Sequence, residues 1–422
     1  MSLTRTSIRS LAHLARYPRL APTARHIHTT KMSSQEFKQA PHKLLVIPGP
    51  IEFSDPVLLA NATPGTSHVS PAFIPVFGEC LRMLKKVVYA EKEGNQSVLI
   101  SGSGTLGWDA VGANLIEPGE EAVVLNTGYF GDSFAECLEI YGAKVTQVKA
   151  PVGGIPTDEQ IVEALKSKPK LITITHVDTS TGVLSPAAHI TSLVKKHSPS
   201  TLIALDAVCS VASEEIRFDD WGLDIVISAT QKGLGTPPGL SVCVISKRAI
   251  ETLESRKSQV GSYYISWKKW LPIMKAYEEG RPMYFATRLT AAPIQLVYAL
   301  HASLKSITTA SPSLEERFAA HKAASKHVKD RLTELGFGFV PTSRDHAANG
   351  MTAAKYPSGI QASDILPKLA EKDIVVAAGL HKAIATEYFR IGHMGITVTD
   401  KERGDVEKVL KGIEEVLKAK SG

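Results

Sequence analysis

From residue 97 onward the chain alternates between short, continuous apolar runs and amphipathic stretches. The runs are VLIS at 98–101, AVVLN at 122–126, KVTQV at 144–148, LITITHV at 171–177, TLIALDAV at 201–208, DIVISA at 224–229 and SVCVIS at 241–246. A strand with one face in water alternates apolar and polar residues. Most of these runs do not, which predicts strands buried on both faces of a largely parallel sheet. Most are followed by a Gly, Pro or polar turn and then a helical pattern, as at 157–166 and 192–196. Seven such strands with helices between them make a three-layer α/β domain.

The pattern changes near residue 293. Long helical patterns cover 293–307 and 313–335, the second opening with a capping box from Ser313 to Glu316 and stopping at Gly336. Strands are expected around 337–341, 351–355, 374–378 and 388–391. In the last segment Val406, Val409, Leu410, Ile413, Val416 and Leu417 recur at spacings of three and four, one buried helical face. The organisation expected is a leader at 1–31, an N-terminal arm at 32–65, a large domain at 66–305 and a smaller α+β domain at 306–422.

Composition narrows the class. With 422 residues, 43% of them hydrophobic and 21% charged, the chain is neither collagen-like, nor a coiled coil, nor wholly disordered. The four cysteines, Cys80, Cys137, Cys209 and Cys243, form no CxxC pair and read as buried thiols in a reducing compartment. The net charge of +6 is carried by six basic residues among the first 35: Arg5, Arg9, Arg16, Arg19, Arg25 and Lys31, with no acid beside them. The body is therefore neutral, which removes the case for a nucleic-acid partner. A basic, acid-free, amphipathic start has the composition of a mitochondrial transit peptide, with a processing-like segment at Arg25-His26-Ile27. Met32 offers a second start that would leave the product in the cytosol. The C-terminal AKSG does not match an SKL peroxisomal signal.

Residues 102–107, GSGTLG, match GxGxxG after an expected strand and before an expected helix. An NAD-dependent dehydrogenase would use such a turn, but it also needs an acid at the end of the next strand for the ribose hydroxyls. That strand ends at Asn126. The anion-binding part of the argument survives, because small residues at a helix start present free N–H groups. Ser103, Gly104 and Thr105 suit one phosphate.

Asp206 lies inside TLIALDAV, where an unpaired carboxylate would cost several kcal/mol, so it needs a cationic or N–H partner. Lys232 follows DIVISAT and is flanked by Gly233, Gly235 and Gly239, which leave room for a ligand. Taken singly, Asp206 suits a structural ion pair and Lys232 an exposed turn. Together, at the ends of consecutive strands and downstream of a phosphate turn, they suit pyridoxal 5′-phosphate. That cofactor needs a lysine, a carboxylate for its ring nitrogen, a phosphate cup and a flat group against the ring. Phe130, in NTGYFG, can stack, and Thr179, Ser180 and Thr181 can offer hydroxyls to the ring oxygen.

The run SATQKGLGTPPGLS, with PGP at 48–50, SGSGT at 101–105 and TSTGV at 179–183, resembles the class V aminotransferases, within them the alanine–glyoxylate and serine–glyoxylate (serine–pyruvate) group. The resemblance spans about residues 43–418. It implies the type I fold of pyridoxal-phosphate enzymes: a large seven-stranded domain, a small C-terminal domain, and a homodimer with active sites at its interface. It makes Lys232 the Schiff-base lysine and Asp206 the partner of the ring nitrogen. Gln231, Ser103, Gly104 and Thr105 would hold the phosphate, Phe130 the ring face and Thr179 the ring oxygen. Arg390, in EYFRIGHMG, and Gly49 would bind substrate, and Tyr284 and Thr287, in MYFAT, would reach the neighbouring subunit's phosphate.

Two departures bear on substrate choice: Arg288 and Leu289 stand in an insertion before Pro293, and Val69 stands where some relatives carry arginine. The expected reaction moves the amino group of alanine to glyoxylate, with serine as the alternative donor and pyruvate as its alternative acceptor. A cysteine desulfurase would need a mobile cysteine in a late loop, and the last cysteine here is Cys243, inside an expected strand. No metal is expected.

Overall fold

The computed structural model describes residues 37–281 and 292–421. All seven apolar runs become strands of one sheet. In chain order its elements are β1 (Gln96–Gly102), α1 (Gly104–Leu115), β2 (Glu121–Asn126), α2 (Tyr129–Ile140), β3 (Lys144–Lys149), β4 (Leu171–Thr175), β5 (Leu202–Asp206), β6 (Ile225–Ala229) and β7 (Gly239–Ile245). Every residue of β4, β5 and β6 is buried, as continuous apolar runs require. The strand order is β1-β7-β6-β5-β4-β2-β3.

Neighbours from β6 to β3 pair in parallel, and β7 alone runs antiparallel to both β1 and β6. The reason is local: a parallel return needs a crossover, usually through a helix, and only residues 230–238 link β6 to β7, with no helix among them. The runs at 171–177 and 201–208 stop as strands at Thr175 and Asp206. Their last residues leave the sheet and build the rim where the parallel strands end, the usual ligand-binding edge of such sheets.

The C-terminal part has a second apolar core. Helix α3 (Leu314–Glu334) carries the expected capping box and ends before Gly336, whose φ is +86°. A four-stranded antiparallel sheet follows, with Gly338–Phe339, β8 (Met351–Lys355), β9 (Tyr388–Gly392) and Ala377–Ala378 side by side in that order. The single strand expected at 374–378 is two. Ile374–Val375 pairs in parallel with Leu44–Leu45, while Ala377–Ala378 pairs with β9. The last helix, Asp405–Ser421, buries Val409, Leu410, Ile413 and Val416 against Leu369, Ile374 and Ile391.

All four cysteines are free. Cys80, Cys209 and Cys243 are buried as expected, but Cys137 is half-exposed, with its sulfur 3.8 Å from Asp109 Oδ1. No helix among the described residues is long and apolar enough to cross a membrane.

Candidate active site

The carboxyl ends of β4, β5 and β6 and the start of α1 surround a cavity of about 190 Å³. Its walls include Ser103, Gly104, Thr105, Phe130, Thr179, Asp206, Gln231 and Lys232, so one space unites eight of the residues singled out from the chain pattern. Asp206 is the last residue of β5, pointing out of the sheet but still 4% exposed. Burial pushes its carboxyl up to about 6, partly offset by two donors. The Val208 N–H donates to Oδ1 at 3.0 Å and the Trp108 indole N–H to Oδ2 at 2.9 Å. The N–H partners required by its burial are therefore present.

Lys232 projects from the turn after β6. Its Nζ donates to the Pro48 carbonyl at 2.5 Å, and burial lowers its pKa, moderated by Cys209 and Asp206 and reinforced by Arg390. Gly49 backs directly onto this side chain. A Cβ there would lie 2.3 Å from Lys232 Cδ, and its φ of +116° already favours glycine. Gly49 thus faces the lysine itself. Gln231 keeps its Oε1 buried without a partner.

At the other end of the cavity α1 begins. Ser103 caps the helix without using its side chain, and its Oγ meets Thr105 Oγ1 at 2.6 Å. Gly104 packs so close to Val208 that a Cβ would sit 2.6 Å from Cγ2, which brings the helix start onto the turn after β5. Free N–H groups and hydroxyls at a helix start form an anion cup.

Of the three hydroxyls expected to face the ring, only Thr179 lines the cavity. Ser180 Oγ donates to Asp178 at 2.5 Å and Thr181 Oγ1 to the Thr127 carbonyl at 3.1 Å, so both are committed to the turn. Arg390, on β9, does not line the cavity wall but stands beside it. Its Nε donates to the Ala378 carbonyl at 2.9 Å and Nη1 to the Thr179 carbonyl at 3.2 Å. No hydrogen bond within the described residues occupies Nη2. Val69 packs half-buried against the large core. Tyr284, Thr287, Arg288 and Leu289 lie outside the described residues, as does the leader at 1–31 with Met32.

Two site residues escaped the chain pattern. Trp108, one turn into α1, holds Asp206 and stacks on Phe134, with ring centroids 5.3 Å apart at 14°. A tryptophan four residues past Gly104 was the available signal, given that Asp206 needed a donor. Asp178, fully buried, accepts the Phe130 N–H at 3.2 Å and the Ser180 N–H at 2.9 Å, and so fixes the start of α2 that carries Phe130.

Fold and cavity together define an enzyme whose cofactor brings a phosphate, a flat ring and a group for lysine. The chain belongs to the class V aminotransferase family, whose model matches residues 57–399. It is 38% identical to alanine–glyoxylate aminotransferase 1 of Saccharomyces cerevisiae over 85% of this chain and 93% of that one. Among solved structures it resembles the alanine–glyoxylate aminotransferase of a Nostoc species, with a TM-score of 0.79 and 29% identity over 90% of this chain and 96% of that one. The ureidoglycine–glyoxylate aminotransferase of Bacillus subtilis matches with a TM-score of 0.81 and 26% identity over 91% and 95% of the two chains.

Pyridoxal 5′-phosphate is the cofactor. The residues present suit it on two observations of the site itself. Among the described residues Asp206 is a buried carboxylate with N–H partners and no cation at hydrogen-bond distance. Ser103 and Thr105, whose hydroxyls meet at the α1 start, line the cavity. Among the described residues no cluster of acid, His or Cys side chains suits a metal.

Proposed function

We propose that this protein transfers the amino group of L-alanine to glyoxylate, giving pyruvate and glycine. The observation that carries the reading is the similarity to the yeast alanine–glyoxylate enzyme over most of both chains. Glyoxylate also recurs in the names of both structural relatives, whereas the donor changes between them.

Bound pyridoxal phosphate supplies the electron sink for the charge left when a substrate Cα loses its proton. The chain supplies the rest. Asp206 holds the proton on the ring nitrogen, because a carboxylate this deeply buried is stabilised by a cationic neighbour. Arg390 offers its Nη2 edge, which no described residue hydrogen-bonds, to the substrate carboxylate, where a planar guanidinium matches two oxygens. Burial favours the uncharged amine of Lys232, which makes it a competent base for the Cα proton and the donor that returns it. Pro48 and Gly49 confine that amine to one side of the cavity.

The test is a visible absorption spectrum of the purified protein with alanine and then glyoxylate. The expected result is a yellow band that shifts with alanine and returns with glyoxylate, pyruvate and glycine appearing in equal amounts. Lys232→Ala should lose both the band's response and turnover. A serine response much larger than the alanine response would overturn the donor; a protein that takes up no pyridoxal phosphate would overturn the whole reading.

We further infer a mitochondrial matrix location from the basic leader, with a cytosolic product from Met32, tested by fusing residues 1–31 to a fluorescent protein. A homodimer in which Tyr284 and Thr287 serve the neighbouring subunit is part of the same reading, and sedimentation of the purified protein tests its stoichiometry.

A further inference from the structure

Arg317, in the first turn of α3, is 7% exposed, and no carboxylate pairs with it among the described residues. Burial lowers its pKa to about 10, still leaving it charged at neutral pH. A buried, unpaired guanidinium is expensive, so its contacts need an account. It makes two. Nε donates to the Ala212 carbonyl at 2.8 Å, and Nη2 donates to the Gly233 carbonyl at 3.1 Å.

Those acceptors lie on the two turns that carry the reactive side chains. Ala212 closes the turn begun by Asp206 and is a non-glycine residue with φ +63°. Gly233 follows Lys232. The two turns touch backbone to backbone, since a Cβ on Gly233 would lie 2.1 Å from the Val211 carbonyl oxygen. The Lys232 turn is not part of a ladder, so its carbonyls need donors from elsewhere than a strand neighbour. Gln231 O takes the Ile51 N–H, Lys232 O the Gly235 N–H and Leu234 O the Ser303 hydroxyl. Among the described residues only the Gly233 carbonyl is held by a cation, and that cation also grips the Asp206 turn. A guanidinium has a rigid fork of donors that can span two carbonyls; an ammonium presents one point.

We propose that Arg317 is a positioning residue: it locks the Lys232 turn to the Asp206 turn and so sets the spacing of the two groups across the cofactor cavity. The inference rests on the family's cofactor, not on the choice of alanine or glyoxylate. Its test is pyridoxal phosphate binding to the apoenzyme, read by quenching of tryptophan fluorescence, for wild type, Arg317→Lys and Arg248→Lys. Arg248 is the control. It too ties the segments flanking β5 and β6, through an ion pair to Asp224 and hydrogen bonds to the carbonyls of Pro199 and Thr201, but at the opposite ends of those strands from the cavity. Both variants should melt at lower temperature. Only Arg317→Lys should weaken cofactor binding, by tenfold or more.

Equal cofactor affinity in Arg317→Lys and wild type would overturn the proposal, as would equal weakening in the Arg248→Lys control. Should Arg317→Lys fail to fold, amide exchange in the wild-type apoenzyme decides. The Ser213 and Glu214 amides and the Gly235 and Thr236 amides should open with one shared free energy, and separate values would overturn the tie. Wild type that binds no pyridoxal phosphate would refute the cofactor reading instead, and the exchange experiment would still judge the tie.

Discussion

Asp206 is charged at neutral pH although its surroundings favour the neutral acid. Its folded pKa of about 6 lies some two units above that of an unfolded aspartate, near 3.9. Between those values the folded apoenzyme holds a proton that the unfolded chain has released. The stability contribution is therefore fully present below about pH 4 and is lost as pH rises through about 6. Two units correspond to about 3 kcal/mol. Urea unfolding of apoenzyme and Asp206→Asn should show this as a difference: the asparagine variant gains about 3 kcal/mol on wild type between pH 4 and pH 7. A pH-independent difference would mean that the carboxylate is not strained by burial. Removing the Trp108 donor should strengthen the effect. In Trp108→Phe one oxygen of Asp206 loses its partner, so the loss of stability should still begin near pH 4 but continue to higher pH.

Among elements, those set by local pattern differ from those set by distant partners. The helix Asp158–Leu165 is of the first kind. Thr157 Oγ1 accepts the Gln160 N–H at 3.3 Å and the Gln160 side chain accepts the Thr157 N–H at 3.0 Å, all within four residues. Thr157→Ala should cost about 1 kcal/mol of unfolding free energy and leave transamination unchanged, because this helix contributes nothing to the cavity wall. Strands β4, β5 and β6 were legible for a related reason: burial on both faces writes itself into the sequence as unbroken apolar runs. The division at Val376 was not legible. Ile374–Val375 takes its partner from Leu44–Leu45, which no local pattern reveals. The site shows the same boundary. Asp206, Lys232 and the α1 start stood out because each is chemically out of place in its own segment. Trp108 and Asp178 did not, since an indole early in a helix or a carboxylate before a turn has many ordinary uses. The hydroxyls of Ser180 and Thr181 looked available until the turn claimed them.

Across the whole molecule, residues 44–51 connect parts that are otherwise far apart in the chain. The Leu44 N–H donates to the Asp373 carbonyl at 2.8 Å and the Val46 N–H to the Val375 carbonyl at 2.9 Å. The Val46 carbonyl accepts the Gly392 N–H at 2.7 Å, two residues beyond Arg390. Pro48 then holds Lys232, and the Ile51 N–H donates to the Gln231 carbonyl at 3.1 Å. One short segment thus touches the C-terminal core, the strand bearing Arg390 and the turn bearing the lysine. Leu44 and Val46 also bury their side chains in the C-terminal core, each removal of which would expose apolar surface worth about 1.5–3 kcal/mol. A chain beginning at Met32 retains every one of these contacts and should keep kcat/KM within about twofold of the full-length protein. A chain beginning at Glu52 lacks them all, and it should lose pyridoxal phosphate binding together with the cooperative melt of the C-terminal core. Comparing the two by cofactor titration and thermal unfolding tests whether the segment is part of the site or only its covering. If the shorter chain binds the cofactor as tightly as the longer one, Pro48 and Gly49 have no part in placing Lys232.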